Sequence, residues 1–155
     1  MKRLVVPFIV LIISAALLSG CMNADETSAF NAVNNDRNAN GVGSLAQNET
    51  LVQKAQGWSE HLLANSGRQC ALLHSSLADG APAGWSKLGE NVGCATVFGY
   101  PGNFVDILNT AFMNSPGHRA NILDPTFNYG GVGVASASLG NGMYIVYETQ
   151  EFATL

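Results

Sequence analysis

Three separated side chains in this sequence could do chemistry together: His74, Glu90 and His118. They are far apart along the chain, so only tertiary structure can assemble them. Two imidazoles and a carboxylate with an open fourth position form a competent zinc site, and the imidazoles could also exchange protons near neutral pH. The spacing matches no H-E-x-x-H, G-x-S-x-G or calcium-loop motif, and each residue taken alone is better explained as a hydrogen-bonding structural group.

The N-terminal segment indicates export. A basic start precedes an apolar run from Leu4 to Leu18, which is shorter than the about 20 residues of a spanning helix and is typical of a signal peptide. The run ends in Leu-Ser-Gly-Cys at Cys21, which resembles the lipobox of bacterial lipoproteins. This resemblance predicts a signal peptide over residues 1–20, a lipid on Cys21 and a polar tether over residues 21–27. The alternative is an ordinary signal peptide followed by a coincidental cysteine.

The predicted anchor and the charge balance define the compartment and the partners. A lipidated Cys21 predicts a protein anchored to a bacterial membrane on its extracytoplasmic side, and Met22 after it indicates the outer membrane in a Gram-negative cell. Seven Lys and Arg, two of them in the leader, stand against eleven Asp and Glu, which argues against nucleic acid as a partner. Residues 28–155 suffice for one domain, which we expect to be monomeric.

Two further cysteines, Cys70 and Cys94, are expected to pair. Exported proteins in oxidising compartments most often join such a pair, and closing this loop of roughly 25 residues would constrain the unfolded chain by about 3.5 kcal/mol. Metal ligation is the alternative, although neither cysteine belongs to a C-x-x-C pair. A disulfide would enclose His74 and Glu90 in one loop.

Periodicity and turn chemistry predict the elements that must position these residues. We expect a first helix from near Thr27 to Asn40, a second capped by Asn48 and ending at residues 65–67, and a third from residues 102–103 to Ser115. His118 is expected on a shaped connection after a Ser-Pro-Gly turn. A short strand near 91–98 precedes a hairpin of 131–137 and 143–152, joined through Asn-Gly, whose glycine-rich start predicts close backbone approach. This order predicts an α+β fold.

Taken in order, the polar segments resemble bacterial members of the CAP superfamily, which includes the SCP, PR-1 and Tpx-1 type extracellular proteins. The segments are N-x-x-R from Asn34, the Leu51–Ala55–Trp58 helix, HSSL from His74, GEN from Gly89, NSPGHRANIL from Asn114 and GVGV from Gly131. The resemblance covers roughly Ser28 to Phe152. It implies a three-layer α-β-α sandwich with a central cleft and a C-terminal antiparallel hairpin.

The resemblance also implies a site. His74, Glu90 and His118 match the family's cleft residues, which in several members bind a divalent cation. The family's second acidic position falls on Ser115, so one carboxylate and one oxygen ligand are lost. We therefore expect at most weak binding of zinc or another divalent cation on His74 and His118, with Glu90 assisting or orienting.

Three functions stay open. The leading one is a non-enzymatic module that binds a small ligand or a surface partner, for which the family implies sterols, lipids, glycans or proteins. The second is a metal-dependent hydrolase of peptide or cell-wall substrates, centred on His74, Glu90 and His118. The third is a purely structural envelope module. Ser75 beside His74 gives hydrolysis little support, because adjacent residues rarely face each other and no acid-oriented triad is evident.

Three other polar residues have structural explanations. Arg119 is expected to be a buried clamp on a carboxylate or on chain carbonyls. Asn121 is expected to be a cap or turn group. His61 is expected on the solvent-facing side of the second helix.

Overall fold

The computed structural model describes residues 22–66, 68–100 and 103–155. In chain order the elements are α1 (Ala24–Ala39), β1 (Ala46–Gln47), α2 (Glu49–Asn65), β2 (Lys87–Phe98), α3 (Phe104–Asn114), α4 (Pro116–Ile122), β3 (Tyr129–Gly140) and β4 (Met143–Thr154). The predicted signal segment and Cys21 lie outside the described residues. None of the helices in the described part of the chain has the length and apolar character needed to cross a bilayer.

Four strands form one sheet in the order β1-β3-β4-β2, with β1 parallel to β3 and the other pairs antiparallel. The predicted hairpin is confirmed: Asn141 and Gly142 both have positive φ, 52° and 76°, as a type I′ turn requires. Strand β2 pairs with β4 from Lys87 to Phe98, so it begins earlier than the predicted strand near 91–98. Strand β1 was not predicted, because two residues carry no periodic signal.

Helices cover both faces of the sheet, which confirms the three-layer α-β-α sandwich. Helix α2 packs on β3 and β4, whereas α1, α3 and α4 pack on the opposite face. Successive side chains of β4 alternate between these layers: Val146 and Phe152 join the core with α1 and α3, and Ile145 and Tyr147 join Leu62 of α2.

Helix α2 lies very close to β3. A Cβ atom at Gly131 would stand 2.4 Å from the backbone nitrogen of Val52, and one at Gly133 would stand 2.1 Å from that of Gln56. The predicted close backbone approach is therefore confirmed. This approach brings the side chains of α2 onto the two central strands, where the candidate site is built.

Helix α1 begins earlier than predicted, at Ala24 instead of near Thr27. The side chain of Asn23 accepts from the backbone N–H groups of Asp25 and Glu26, and the Glu26 carboxylate accepts from the Asn23 N–H, which forms a capping box. Residues 24–27, expected in a polar tether, therefore form the first turn of the helix. Only Met22 and Asn23 separate the helix from Cys21.

Helix α3 ends before Pro116 as predicted. Ser115 is extended, with φ −93° and ψ 118°, because a following proline disfavours helical geometry. Pro116 then opens α4, since a proline at the first helical position loses no intrahelical hydrogen bond. His118 therefore lies on a short helix, which corrects its expected place on a connection.

Candidate functional site

Glu90 is the buried centre of the candidate site. It lies in β2 directly opposite Glu151 of β4, and both carboxylates face α2. The loop from α2 to β2 crosses above it, held by the Cys70–Cys94 disulfide with a Cα–Cα distance of 5.5 Å. This confirms the predicted pairing. The bond ties the loop to β2 and brings the segment that starts at His74 over Glu90.

His74 and Glu90 form a directly bonded pair. Nδ1 of His74 lies 2.7 Å from Oε1 of Glu90, and the backbone N–H of Ser75 donates to both carboxylate oxygens at 2.9 and 3.2 Å. The His74 side chain is 64% exposed, whereas that of Glu90 is 1% exposed. Glu90 therefore fixes one edge of the imidazole. His74 also lines a cleft of about 370 Å³, together with Leu77 and Asn121.

A buried lysine supports the carboxylate pair from α2. Nζ of Lys54 contacts the Glu151 carboxylate, lies 3.9 Å from Oε2 of Glu90 and donates to the Ser75 hydroxyl at 2.7 Å. Its side chain is only 6% exposed. Burial raises the pKa of Glu151 to about 8, against the opposing effect of Lys54, and the neighbouring Glu90 charge raises it further. Burial therefore favours a proton on Glu151, while Lys54 lies against both carboxyl groups.

Lys54 and Ser75 also line a second, larger groove outside the cleft. This groove has a volume of about 810 Å³ and runs between α2 and the loop from α2 to β2, with Trp58 and Asp79 among its lining residues. Ser75 lines both cavities, which therefore adjoin each other at this residue.

His118 approaches the site from α4. Its half-buried ring packs edge-on against Phe112, with 5.1 Å between ring centroids. Burial lowers the pKa of His118, and the charge of a protonated His74 lowers it further. Both effects favour the neutral ring, which is the form that accepts a hydrogen bond or binds a metal.

Two asparagines connect α4 to the strands beneath it. Asn91 donates to the His118 carbonyl at 3.1 Å and to the Gln150 side chain at 3.0 Å. Asn121 donates to the Glu90 carbonyl at 3.1 Å and to the Asn91 side chain at 2.9 Å. Asn121 has a structural role, as expected. It connects α4 to β2, however, and is not the expected cap or turn group.

Ser115 lies at the junction of α3 and α4, half-buried, and its side chain makes no capping hydrogen bond to α4. In the described part of the chain, no three His, Cys, Asp or Glu side chains are grouped as a metal site. Both Glu90 oxygens already accept from Ser75, and one also meets His74. Glu90 lies behind His74, where a carboxylate that orients a histidine ligand is placed.

The arginine that clamps the chain is Arg37 and not Arg119. Arg119 is exposed and reaches only the Asn40 side chain, at 3.3 Å. Arg37 is 1% exposed and donates to four backbone carbonyls, those of Gly43, Ile122, Asp124 and Phe127. The expectation for Arg119 was wrong because α4 is a helix whose Arg119 side faces solvent. His61 is exposed as expected and stacks on Trp58 at 4.7 Å.

The sequence did not predict that the side chains of Lys54, Glu148 and Glu151 are buried. Burial raises the pKa of Glu148 to about 7, while a hydrogen bond from Gln150 at 2.8 Å opposes the shift. Their signal was present in the sequence. Lys54 adjoins the apolar stripe of α2, and the two glutamates bound a polar stretch, residues 148–151, in a strand that is otherwise largely apolar.

Comparison with known proteins gives consistent relatives. The family model of the cysteine-rich secretory (CAP) proteins matches residues 30–152. Similar structures include an extracellular SCP-domain protein from Bacillus anthracis, at 23% identity and TM-score 0.59 over 84% of this chain and 40% of that one. A cysteine-rich secretory protein from Staphylococcus aureus matches at 20% identity and TM-score 0.56, over 84% and 39%. An outer surface protein from Borrelia burgdorferi matches at 14% identity and TM-score 0.59, over 84% and 92%.

These similarities establish the fold. The chain spans about two fifths of the Bacillus and Staphylococcus proteins, which therefore carry additional sequence. A comparison with curated proteins found no significant match.

Proposed function

This chain belongs to the CAP family of cysteine-rich secretory proteins, and from that premise we propose that it is an extracytoplasmic, lipid-anchored binding protein. Its cleft takes a small ligand or a surface partner and does not catalyse a reaction. One observation carries the choice of binding over catalysis. The Glu90 carboxylate is buried and held by His74 and the Ser75 backbone, while the exposed edge of His74 faces the cleft.

A catalytic function would need a reachable base or nucleophile. Glu90 is 4% exposed and already accepts hydrogen bonds on both oxygens, so it is badly placed to take a proton from a substrate. The Glu90–His74 pair does resemble the orienting half of a hydrolase triad. Yet the nearby Ser75 hydroxyl accepts from Lys54, and Lys54 is itself engaged by two carboxylates. This arrangement supports a rigid binding surface.

The same cleft is proposed to bind a divalent cation such as zinc weakly. His74, through Nε2, and His118 would hold it, and Glu90 would orient His74. A bound cation would supply a positive centre for an anionic group of the ligand. Binding would be weak because Ser115 stands where an additional acidic ligand would be expected, and because Glu90 is already engaged.

Calorimetry with zinc at pH 7.5 on the full-length protein in detergent tests this site. We expect His74→Ala combined with His118→Ala to abolish binding, whereas His61→Ala, on the exposed face of α2, leaves it unchanged. Glu90→Gln should weaken binding by about 10–100-fold, as loss of an orienting carboxylate does. Unchanged affinity in the double variant would overturn the cation site. Unchanged affinity in Glu90→Gln would overturn the orienting role.

The competing hydrolase has its own test. Purified protein is incubated with peptide and cell-wall substrates, and the same assay is run on Glu90→Gln. Turnover in the native protein that disappears in the variant would replace the binding proposal by the enzymatic one. We expect no turnover in either.

The proposed anchor rests on the Leu-Ser-Gly-Cys pattern at Cys21 and on the family's extracellular relatives. The protein would be held on the extracytoplasmic side of the cell membrane, or on the outer membrane if the cell is Gram-negative. Cys21→Ser should release it from the membrane fraction. Retention of the acyl chain in that variant would disprove the anchor.

A further inference from the structure

One end of the molecule exposes apolar side chains. We call it the apolar tip and define it by Phe98 at the end of β2, Tyr100 after it, Ile107 in the first turns of α3 and Leu139 before the hairpin turn. Phe98 is 75% exposed. Its ring lies over the turn, since a Cβ atom at Gly142 would stand 2.9 Å from it. Grouped exposed apolar residues of this kind mark a surface that contacts something other than water.

The start of the mature chain lies at the same end. Tyr100 donates its hydroxyl hydrogen to the Asp25 carboxylate in the first turn of α1. Met22 packs against the main core, and Asn23 is held by the capping box. A lipid on Cys21 would thus join the fold one peptide unit before an ordered residue. Met22 and Asn23 alone lie between Cys21 and α1, so the connection would limit how far the domain can turn away from its membrane.

We propose that the apolar tip rests against the bilayer that holds the lipid anchor. This inference depends on the lipidation of Cys21 proposed above. Phe98 and Leu139 would enter the boundary between headgroups and acyl chains, and the ring of Tyr100 would lie at headgroup level, where amphipathic aromatic side chains are favoured. Acidic Asp25 and Asp106 lie near this end, so the tip fits zwitterionic lipid better than an anionic surface.

The same contact would fix the direction of the cleft. Glu90 and Phe98 lie eight residues apart in one strand, which spans about 26 Å at about 3.3 Å per residue. The cleft therefore lies at the far end of β2 from the membrane. Its ligand would come from the aqueous compartment or from a facing surface, and not from the lipid that holds the anchor.

Depth-dependent fluorescence quenching tests this orientation. Full-length lipidated protein is reconstituted in phosphatidylcholine vesicles with and without brominated acyl chains. We expect F98W to add emission that the brominated lipid largely removes. L77W, at a 41% exposed apolar position on the cleft, is the matched control, and its added emission should be unaffected. The native Trp58 and Trp85 form the common background.

Flotation of the vesicles separates this inference from the anchor. If the wild-type protein does not float with the vesicles, both the proposed lipid anchor and the proposed orientation are disproved. If the protein floats but F98W is not quenched, the anchor stands and the membrane-facing tip is overturned. A blue-shifted F98W emission before vesicles are added, with no quenching after, would show that a second copy of the chain covers the tip and would equally overturn it. Quenching of F98W and L77W alike would exclude a fixed orientation.

Discussion

Glu90 and Glu151 face each other across β2 and β4, two buried carboxylates on the same face of the sheet. Like charges placed opposite each other destabilise an antiparallel pair. The fold relieves this repulsion with the Lys54 ammonium and with a proton on Glu151, whose pKa burial raises to about 8. Glu90 in turn contacts His74 and accepts from the Ser75 backbone N–H. The geometry of the cleft therefore depends on Lys54, which lies outside the polar sequence motifs that identify the cleft.

Lys54→Met should destabilise the protein strongly. Removing one partner of a buried ion pair leaves an uncompensated charge and typically costs about 3–5 kcal/mol. Lys87→Met is the control, because Lys87 pairs with Asp124 at the surface with its side chain 47% exposed, and such pairs contribute about 1 kcal/mol or less. Urea unfolding of both variants measures the difference. Equal midpoints for Lys54→Met and the wild-type protein would show that the cluster does not stabilise the fold.

The buried Glu148 should make the protein more stable in mild acid. Burial raises its pKa from 4.5 to about 7 in the folded state, so the folded chain keeps a proton that the unfolded chain releases. Stability should therefore fall as pH rises from about 4.5 to about 7, by about 3 kcal/mol, and this contribution levels off above that range. Glu151 adds a slope of the same sign up to about pH 8.

Glu148→Gln isolates this contribution. We expect the variant to lose the Glu148 part of the slope in urea unfolding measured across pH 4.5–8, while the exposed Glu60→Gln keeps the wild-type slope. An unaltered pH profile in Glu148→Gln would contradict a protonated Glu148 in the folded protein.

Arg37→Lys should lower the stability of the fold strongly, although both residues are positively charged. A lysine cannot replace a planar guanidinium that donates to four backbone carbonyls, and the buried carbonyls of Ile122 and Phe127 would lose their donor. Each buried group left without a partner costs about 1–3 kcal/mol, so we expect a loss of about 3–5 kcal/mol. Arg119→Lys, at an exposed position, should change stability by about 0.5 kcal/mol or less. Thermal unfolding that ranks the two variants equally would refute the clamp.

Two glycine-to-alanine changes should have opposite signs. At Gly133 a Cβ atom would overlap the backbone of Gln56, so alanine should force α2 off the sheet, costing about 4 kcal/mol or preventing folding. At Gly57, inside α2, a Cβ atom meets nothing within 4 Å, and alanine should stabilise the helix by up to about 1 kcal/mol. Denaturation midpoints that move in the same direction would contradict this account of the α2–β3 contact.

Local chemistry explains which elements could be predicted. The Asn48 cap, the proline that ends α3 and the Asn-Gly turn of the hairpin each act within a few residues, and the structure confirms all three. The start of β2, strand β1 and helix α4 were missed. Strand β1 and the first residues of β2 exist because a partner strand supplies their hydrogen bonds, and α4 is too short to show a helical period.

The candidate site divides in the same way. The order of the polar segments in the sequence identified His74, Glu90 and His118. It did not predict which of these side chains contact each other. A bond between Glu90 and His74 requires the disulfide-held loop to cross β2. The lowered pKa of His118 comes from its burial, which includes contact with Phe112. Arg37 and Arg119 both lie in polar segments. Only the packing of residues 122–127 against α1 decides which of them is the clamp.

The sequence by itself determined the family resemblance, the order of the elements, the Cys70–Cys94 pair and the identity of the polar residues near the cleft. Those features depend on residue types and short-range backbone preferences. The tertiary structure alone decided that Lys54 stabilises two facing carboxylates, that His74 turns one edge outward, and that Phe98 stands at the opposite end of β2 from Glu90. These relations are set by strand register and by the close contact of α2 with β3, because burial and long-range pairing fix the partners and protonation states of groups that are distant in the chain.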